Sequence, residues 1–195
     1  MDPAKVQLSG EEMALVKNAG WILTKNSVIG KTVKLFAGLS EEYKAIWKGD
    51  GMMSGKVSRG ENYQGLPWVM LDYPRVFGRE DVLAIRTMFW WGHYFSVTLH
   101  LKGIYQERFS PAIRHAWPVL SAAGFYIGIS DDEWRHELST NNYLRIGEVP
   151  GDLADKILTD RPFLKLSAHC ELDKWNEGPE ILSGLFRVLS DVLQR

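Results

Sequence analysis

The feature that most constrains this chain is a long alternation between Thr87 and Lys102. The odd positions read Thr87, Phe89, Trp91, His93, Phe95, Val97, Leu99 and Leu101. The even positions read Met88, Trp90, Gly92, Tyr94, Ser96, Thr98, His100 and Lys102. A period of two places successive side chains on opposite faces, so this is a strand with one buried and one open face. Strands of an all-parallel sheet are buried on both faces and read as continuous apolar runs, so the pattern predicts an antiparallel sheet. A second run repeats it. Leu164, Leu166, Ala168, Cys170 and Leu172 alternate with Lys165, Ser167, His169, Glu171 and Asp173 between Phe163 and Lys174.

Helices are expected around this sheet. Ser9-Gly10-Glu11-Glu12 is a capping box ahead of Met13, Val16, Gly20 and Leu23 at helical spacing. Two further helices are predicted over 27–37 and from Ser40. The glycine-rich stretch 49–65 reads as a loop, and Leu66 to Tyr73 as a short strand ended by Pro74. Ser110-Pro111 is predicted to open a helix that Pro118 kinks or ends, and Ser130-Asp131-Asp132-Glu133 to cap a brief helix reaching Leu138. Short strands are expected at 125–129 and 143–146, and helices over 153–158 and 179–194. The last carries Ile181, Leu182, Leu185, Phe186, Leu189 and Val192 on one stripe, which should dock on the sheet. The expected fold is a single α+β domain over 1–195: an antiparallel sheet with N-terminal helices and a C-terminal helix packed on one face.

Charge and cysteine content narrow the function classes. The formal net charge is −1, so no global basic field draws in nucleic acid or anionic lipid. The single cysteine, Cys170, excludes an internal disulfide and any Cys-rich zinc site, which favours a cytoplasmic setting. On its apolar strand face it is expected to be an inert core thiol. No stretch reaches the roughly 18 uninterrupted apolar residues of a membrane span, so no membrane partner is expected. Eight Trp are a heavy load, and Trp sits where large contact area is needed.

Several motifs tempt and fail. Gly51-Met52-Met53-Ser54-Gly55-Lys56 is one residue short of a phosphate-binding loop, with Val57 where Ser or Thr should hold magnesium. His136-Glu137 lacks the second zincin histidine, since Thr140 stands there. Asp131, Asp132, Glu133 and Glu137 read as helix-capping acids rather than a cation site. No metal or cofactor is expected. His93, between Trp91 and Phe95, is read as a core histidine, and His115 as a surface one.

What remains is the polar face of the two patterned strands. It carries Arg86, Trp90, Tyr94, Ser96, Thr98, His100 and Lys102 from one, and Lys165, Ser167, His169 and Glu171 from the other. Arg86, Trp90, Tyr94, His100, Ser167, His169 and Glu171 are the candidate ligand-binding residues. They combine aromatic platforms, titratable imidazoles, a carboxylate and a cation, as a pocket for an anionic or aromatic small molecule would. The leading expectation is a domain that binds an unknown small molecule or protein on this open face. The alternative is a hydrolase or isomerase using His100 and His169 as general acid and base. A third class is a homodimer with Trp90 and Tyr94 as interface anchors.

Three segments carry a family resemblance: Glu61-Asn62-Tyr63-Gln64-Gly65-Leu66-Pro67, Leu71-Asp72-Tyr73-Pro74-Arg75 and Arg86-Thr87-Met88-Phe89-Trp90-Trp91-Gly92. They resemble a family of uncharacterised bacterial proteins, mostly from Bacteroidetes, over residues 58–103. The resemblance implies a bacterial cytoplasmic protein, and it transfers no activity and no catalytic residue.

Overall fold

The computed structural model describes residues 6–50 and 54–194. Two helices open the chain, α1 (Gly10–Lys17) and α2 (Ala19–Ile46). Four strands follow, β1 (Lys56–Tyr63), β2 (Leu66–Phe77), β3 (Val82–Trp90) and β4 (Tyr94–Lys102). Next come α3 (Ile104–His115), α4 (Trp117–Ala122), β5 (Tyr126–Gly128), β6 (Tyr143–Arg145), α5 (Gly151–Asp160), β7 (Phe163–Glu171) and α6 (Gly178–Leu193). The seven strands make one sheet in the order β1-β2-β3-β4-β7-β5-β6, and every pairing is antiparallel. The fold is α+β, as the alternation predicts.

The odd residues of β3 and β4 and the even residues of β7 form the apolar face. Leu83, Ile85, Phe89, Phe95, Val97, Leu99, Leu164 and Leu166 are buried there against α2 and α6. Helix α2 contributes Ile29, Phe36, Leu39 and Tyr43, and α6 contributes Leu182, Phe186 and Leu189. Tyr43 stacks on Phe186 with ring centroids 3.7 Å apart, and its hydroxyl lies 3.2 Å from Thr87 Oγ1. Each such side chain contributes about 1.5–3 kcal/mol by leaving water. Cys170 is buried on this face, and burial pushes its thiol up, as an inert core cysteine requires.

Several boundaries differ from expectation for local reasons. The run Thr87–Lys102 is two strands joined by a turn at Trp91–His93, where Gly92 takes a positive φ of 74°. Trp90 pairs with Tyr94 across that three-residue turn, so even positions stay on one face and the parity survives. His93 is consequently exposed in the turn and stacks on Trp90 at 3.5 Å, rather than lying in the core. His115 is exposed as expected. The helices expected over 27–37 and from Ser40 are one continuous α2. Within the glycine-rich stretch lies β1, while Gly51, Met52 and Met53 fall outside the described residues, as does the start of the polar N-terminus, residues 1–5. Strand β2 runs through Pro74 by a bulge between Asp72 and Arg75, the position where a missing N–H is tolerated. Helix α3 begins at Ile104, not Ser110, because Asp81 Oδ1 from the β2–β3 turn accepts the Ile104 N–H at 2.9 Å.

Candidate functional site

The opposite face of the sheet carries the expected polar residues, but it is not open. The connection from Ile129 to Asn142 leaves β5 and returns at β6, and its ends meet where the Ile129 N–H donates to Asn142 O at 2.8 Å. At roughly 14 residues without helix or strand, it has the length of a compact Ω-loop, and loops of this kind are frequently functional. It folds back across the sheet as a strap and reaches β1, five strands and about 24 Å away. The helix expected over 130–138 does not form. Ser130 Oγ accepts from the Asp132 N–H at 3.2 Å and Asp132 Oδ1 from the Trp134 N–H at 2.9 Å, so these side chains make tight local turns.

An irregular strap has no internal ladder to satisfy its backbone, so its polar groups need partners elsewhere. Side chains standing on the sheet supply them. Lys165 Nζ donates to Glu133 O at 3.1 Å and to Arg135 O. Tyr63 accepts the His136 N–H at 2.7 Å and donates to Glu137 Oε2 at 2.8 Å. Tyr94 accepts the Leu138 N–H at 2.8 Å, and Arg161 donates to Ser130 O at 2.5 Å.

Beneath the strap, two adjacent rows cross the sheet. In one, Arg86 pairs with Thr98 and Thr98 with Ser167, whose hydroxyls lie 2.8 Å apart. In the next, His100 pairs with Lys165, beside Gly128 and Tyr143. A Cβ on Gly128 would meet Lys165 Cβ at 3.2 Å, so the glycine leaves the lysine its space. His100 is fully buried and Lys165 is 2% exposed. Arg86 Nε donates to Asp72 Oδ1 at 2.8 Å, and its guanidinium lies 5.6 Å from the Trp134 ring centre. His100 Nε2 lies 3.2 Å from Glu133 Oε2.

Electrostatics follow from that enclosure. Burial, with the Lys165, Arg86 and Lys102 cations around it, drives His100 down to about 3, so the imidazole is neutral at pH 7. Its Nε2–H then donates to Glu133 and Nδ1 is left as an acceptor. Burial, then neighbouring Lys165 and Arg86, also hold half-buried His136 well below the usual histidine range. Burial and the Arg86 charge lower Lys165 to about 7, so its amine titrates near neutrality. Burial raises Tyr63 and Tyr94 to about 12. Burial works against the Glu137 carboxylate, but hydrogen bonds from Tyr63 and Arg135 outweigh it and leave Glu137 below its ordinary value.

Of the candidate residues, Arg86, His100 and Ser167 come together under the strap. Trp90 is 2% exposed and Tyr94 half-buried in a satellite core with Met70 and Met88, so neither is an open platform or an exposed dimer anchor. His169 and Glu171 pair with each other at 3.0 Å near the rim. His169 lies four residues along β7 from Lys165, the partner of His100, which sets the two residues about 13 Å apart along the sheet. The candidate set lacks the strap's own Glu133, Trp134, His136 and Glu137, of which Glu133 and Glu137 read in the sequence as helix-capping acids and His136 as part of an incomplete zinc motif, and it lacks Tyr63, Trp68 and Tyr143. A cleft of about 320 Å³ opens between strap and sheet, with aromatic walls from Tyr63, Trp68 and Trp134, a floor of Met70 and Met88, and Arg86 at one side. Among the described residues, no three His, Cys, Asp or Glu side chains converge as a metal would need, and no helix is long and apolar enough to cross a membrane. No protein-family model matches this chain, and no curated protein matches it.

Proposed function

We propose that the protein binds a small anionic molecule with a planar or aromatic body in the cleft between the strap and the sheet. The observation that carries this reading is a set of buried polar atoms without partners on that face: Arg86 Nη1, His100 Nδ1 and the Tyr143 hydroxyl. More than about 90% of buried polar groups find a partner, and an unmade bond costs about 1–3 kcal/mol. Arg86 lines the cleft itself, and His100 and Tyr143 stand in the neighbouring row beneath the strap. Arg86 and Tyr143 can donate, and Lys165 beside them has carbonyl partners only. Of the cations on this face, Arg86 is the one that lines the cleft, and its guanidinium is the group an anion would pair with.

Tyr63, Trp68 and Trp134 offer faces for stacking, and the two methionines adapt to shape. The volume suits a compact metabolite. Trp134 lies over the Arg86 guanidinium and is 50% exposed, so a ligand that reaches the arginine passes beside this ring and can stack on it. The histidine acid–base alternative has weaker support: His100 is neutral, and His169 stands outside hydrogen-bonding reach of it. A reducing cytoplasmic setting fits a chain whose one cysteine is buried and free.

The test is tryptophan fluorescence titrated with aromatic and aliphatic carboxylates and aryl phosphates, with the matching neutral amides as controls. Some anions should quench saturably below about 1 mM, and Trp134→Ala should bind them about tenfold more weakly. Equal binding of acids and amides, or equal binding by Trp134→Ala, would overturn the assignment.

A further inference from the structure

The buried stripe of α2 runs through Lys25, Ile29, Thr32, Phe36, Leu39 and Tyr43 at three- and four-residue spacing. Extended toward the N-terminus, the same stripe reaches Trp21 and Ile22. These two are 49% and 44% exposed, because the helix outruns the sheet by more than a turn. Every described residue from Val6 to Thr24 is exposed, and α1 has no buried residue at all. Eight of the thirteen exposed large hydrophobic side chains of the described residues lie between Val6 and Leu23. The remaining five are scattered, which is ordinary for a protein surface. An apolar concentration of this kind at one end of a fold marks an interaction surface.

We infer that this arm, α1 with the first turns of α2, is a homodimer interface in which two copies pack their arms antiparallel about a two-fold axis. Charge is the first argument. Helix α1 carries Glu11 and Glu12 in its first turn and Lys17 in its last. Two such helices laid antiparallel set the acidic end of each against the basic end of the other, so the surface is self-complementary, as an isologous interface must be.

Area is the second argument. Taking about 100 Å² for a large apolar side chain at full exposure, the eight leave about 450 Å² of apolar surface per copy. Two copies would bury at most about 900 Å² of apolar area, or about 1,400 Å² in all at the usual apolar share, an upper bound because these side chains surround the arm rather than line one side of it. A membrane surface fits less well, because interfacial helices carry a Lys/Arg-rich polar face and α1 has two acids against one lysine.

Sedimentation velocity of the full chain from about 1 to 200 μM tests the inference, since a standard interface gives micromolar or tighter association. The expected result is a monomer–dimer equilibrium that Leu15→Glu with Val16→Glu weakens by about a hundredfold or more, while the thermal melt of the monomer, read at a concentration below the dissociation constant, stays unchanged. Glu11→Lys, which leaves the Ser9–Glu12 capping box intact, should weaken association, and adding Lys17→Glu to that variant should restore it. A monomer at all concentrations, a dimer indifferent to the Leu15 and Val16 substitutions, or charge reversal without rescue would each overturn it. So would a monomer whose arm instead sediments with phosphatidylcholine–phosphatidylserine vesicles.

Discussion

Lys165 gives the sharpest test of the strapped face. The residue is 2% exposed and its amine is held near pH 7, against 10.5 for an ordinary lysine. Between those values the unfolded chain binds a proton that the folded protein does not, so stability rises with pH across this window. The full effect is about 5 kcal/mol, or about 1.4 kcal/mol per pH unit within it. Buried tyrosines act in the opposite direction, but only near pH 10, where unfolded tyrosine ionises. The clean range is therefore pH 7.5 to 9.

Lys165→Met keeps the length and removes the titration, along with the donors to Glu133 O and Arg135 O. Urea unfolding of both proteins at four pH values should show the wild type gaining about 2 kcal/mol on the variant between pH 7.5 and 9. A difference that stays flat with pH would mean that Lys165 titrates as an exposed amine and that the strap does not enclose it. A bound anion would favour the ammonium form, so saturating ligand should flatten the wild-type slope. Ligand affinity should correspondingly fall as pH rises through 7.

Two further outcomes follow from the same structure. His100 is held at about 3 in the fold and near 6.5 when unfolded, so its contribution is complete above pH 6.5 and is lost as pH falls toward 3. Between pH 6.5 and 4.5 the wild type should lose about 2–3 kcal/mol more than His100→Gln in urea unfolding, and parallel losses would refute the burial of this imidazole. Gly103 has φ 60°, and a Cβ there would stand 2.6 Å from Glu80 O. Gly103→Ala should lower stability by about 2 kcal/mol or more, read as a drop in the urea midpoint at unchanged slope.

The sequence made the sheet and its two faces readable because alternation is a property of neighbouring residues. It stayed valid across the Trp91–His93 turn only because an odd-numbered loop preserves parity. Features fixed by distant partners were not readable. Gly60 looks like a loop residue, yet it sits in β1 because the Trp68 indole occupies the place of its missing side chain, 2.6 Å from where a Cβ would be. The start of α3 depends on Asp81, from another turn. Gly38 and Ser40 look like helix punctuation, but burial of the α2 face against the sheet overrides their propensity. The strap is the least legible part of the chain. Ser130 to Glu133 spells a helix cap, and Trp134 to Glu137 has no period, since these residues answer to Lys165, Tyr63 and Arg86 rather than to one another.

The two covers of this sheet solve different problems. Helices close one face with apolar stripes, the cheapest way to bury a sheet. If the strap served only to close the other, apolar residues at Arg86, His100, Lys165 and Tyr143 would serve better, because replacing buried charged groups by well-packed apolar ones is often neutral or stabilising by about 1–4 kcal/mol. The same face does adopt that solution a short way along, at Met70, Met88 and Trp90. Polar residues are thus concentrated where the strap crosses the middle of the sheet, and the bonds that hold it there run through side chains rather than a backbone ladder. Such bonds can be exchanged one at a time for those of a ligand without unravelling a strand, and an anion entering beside Trp134 would meet Arg86 before the fastenings at Lys165 are disturbed.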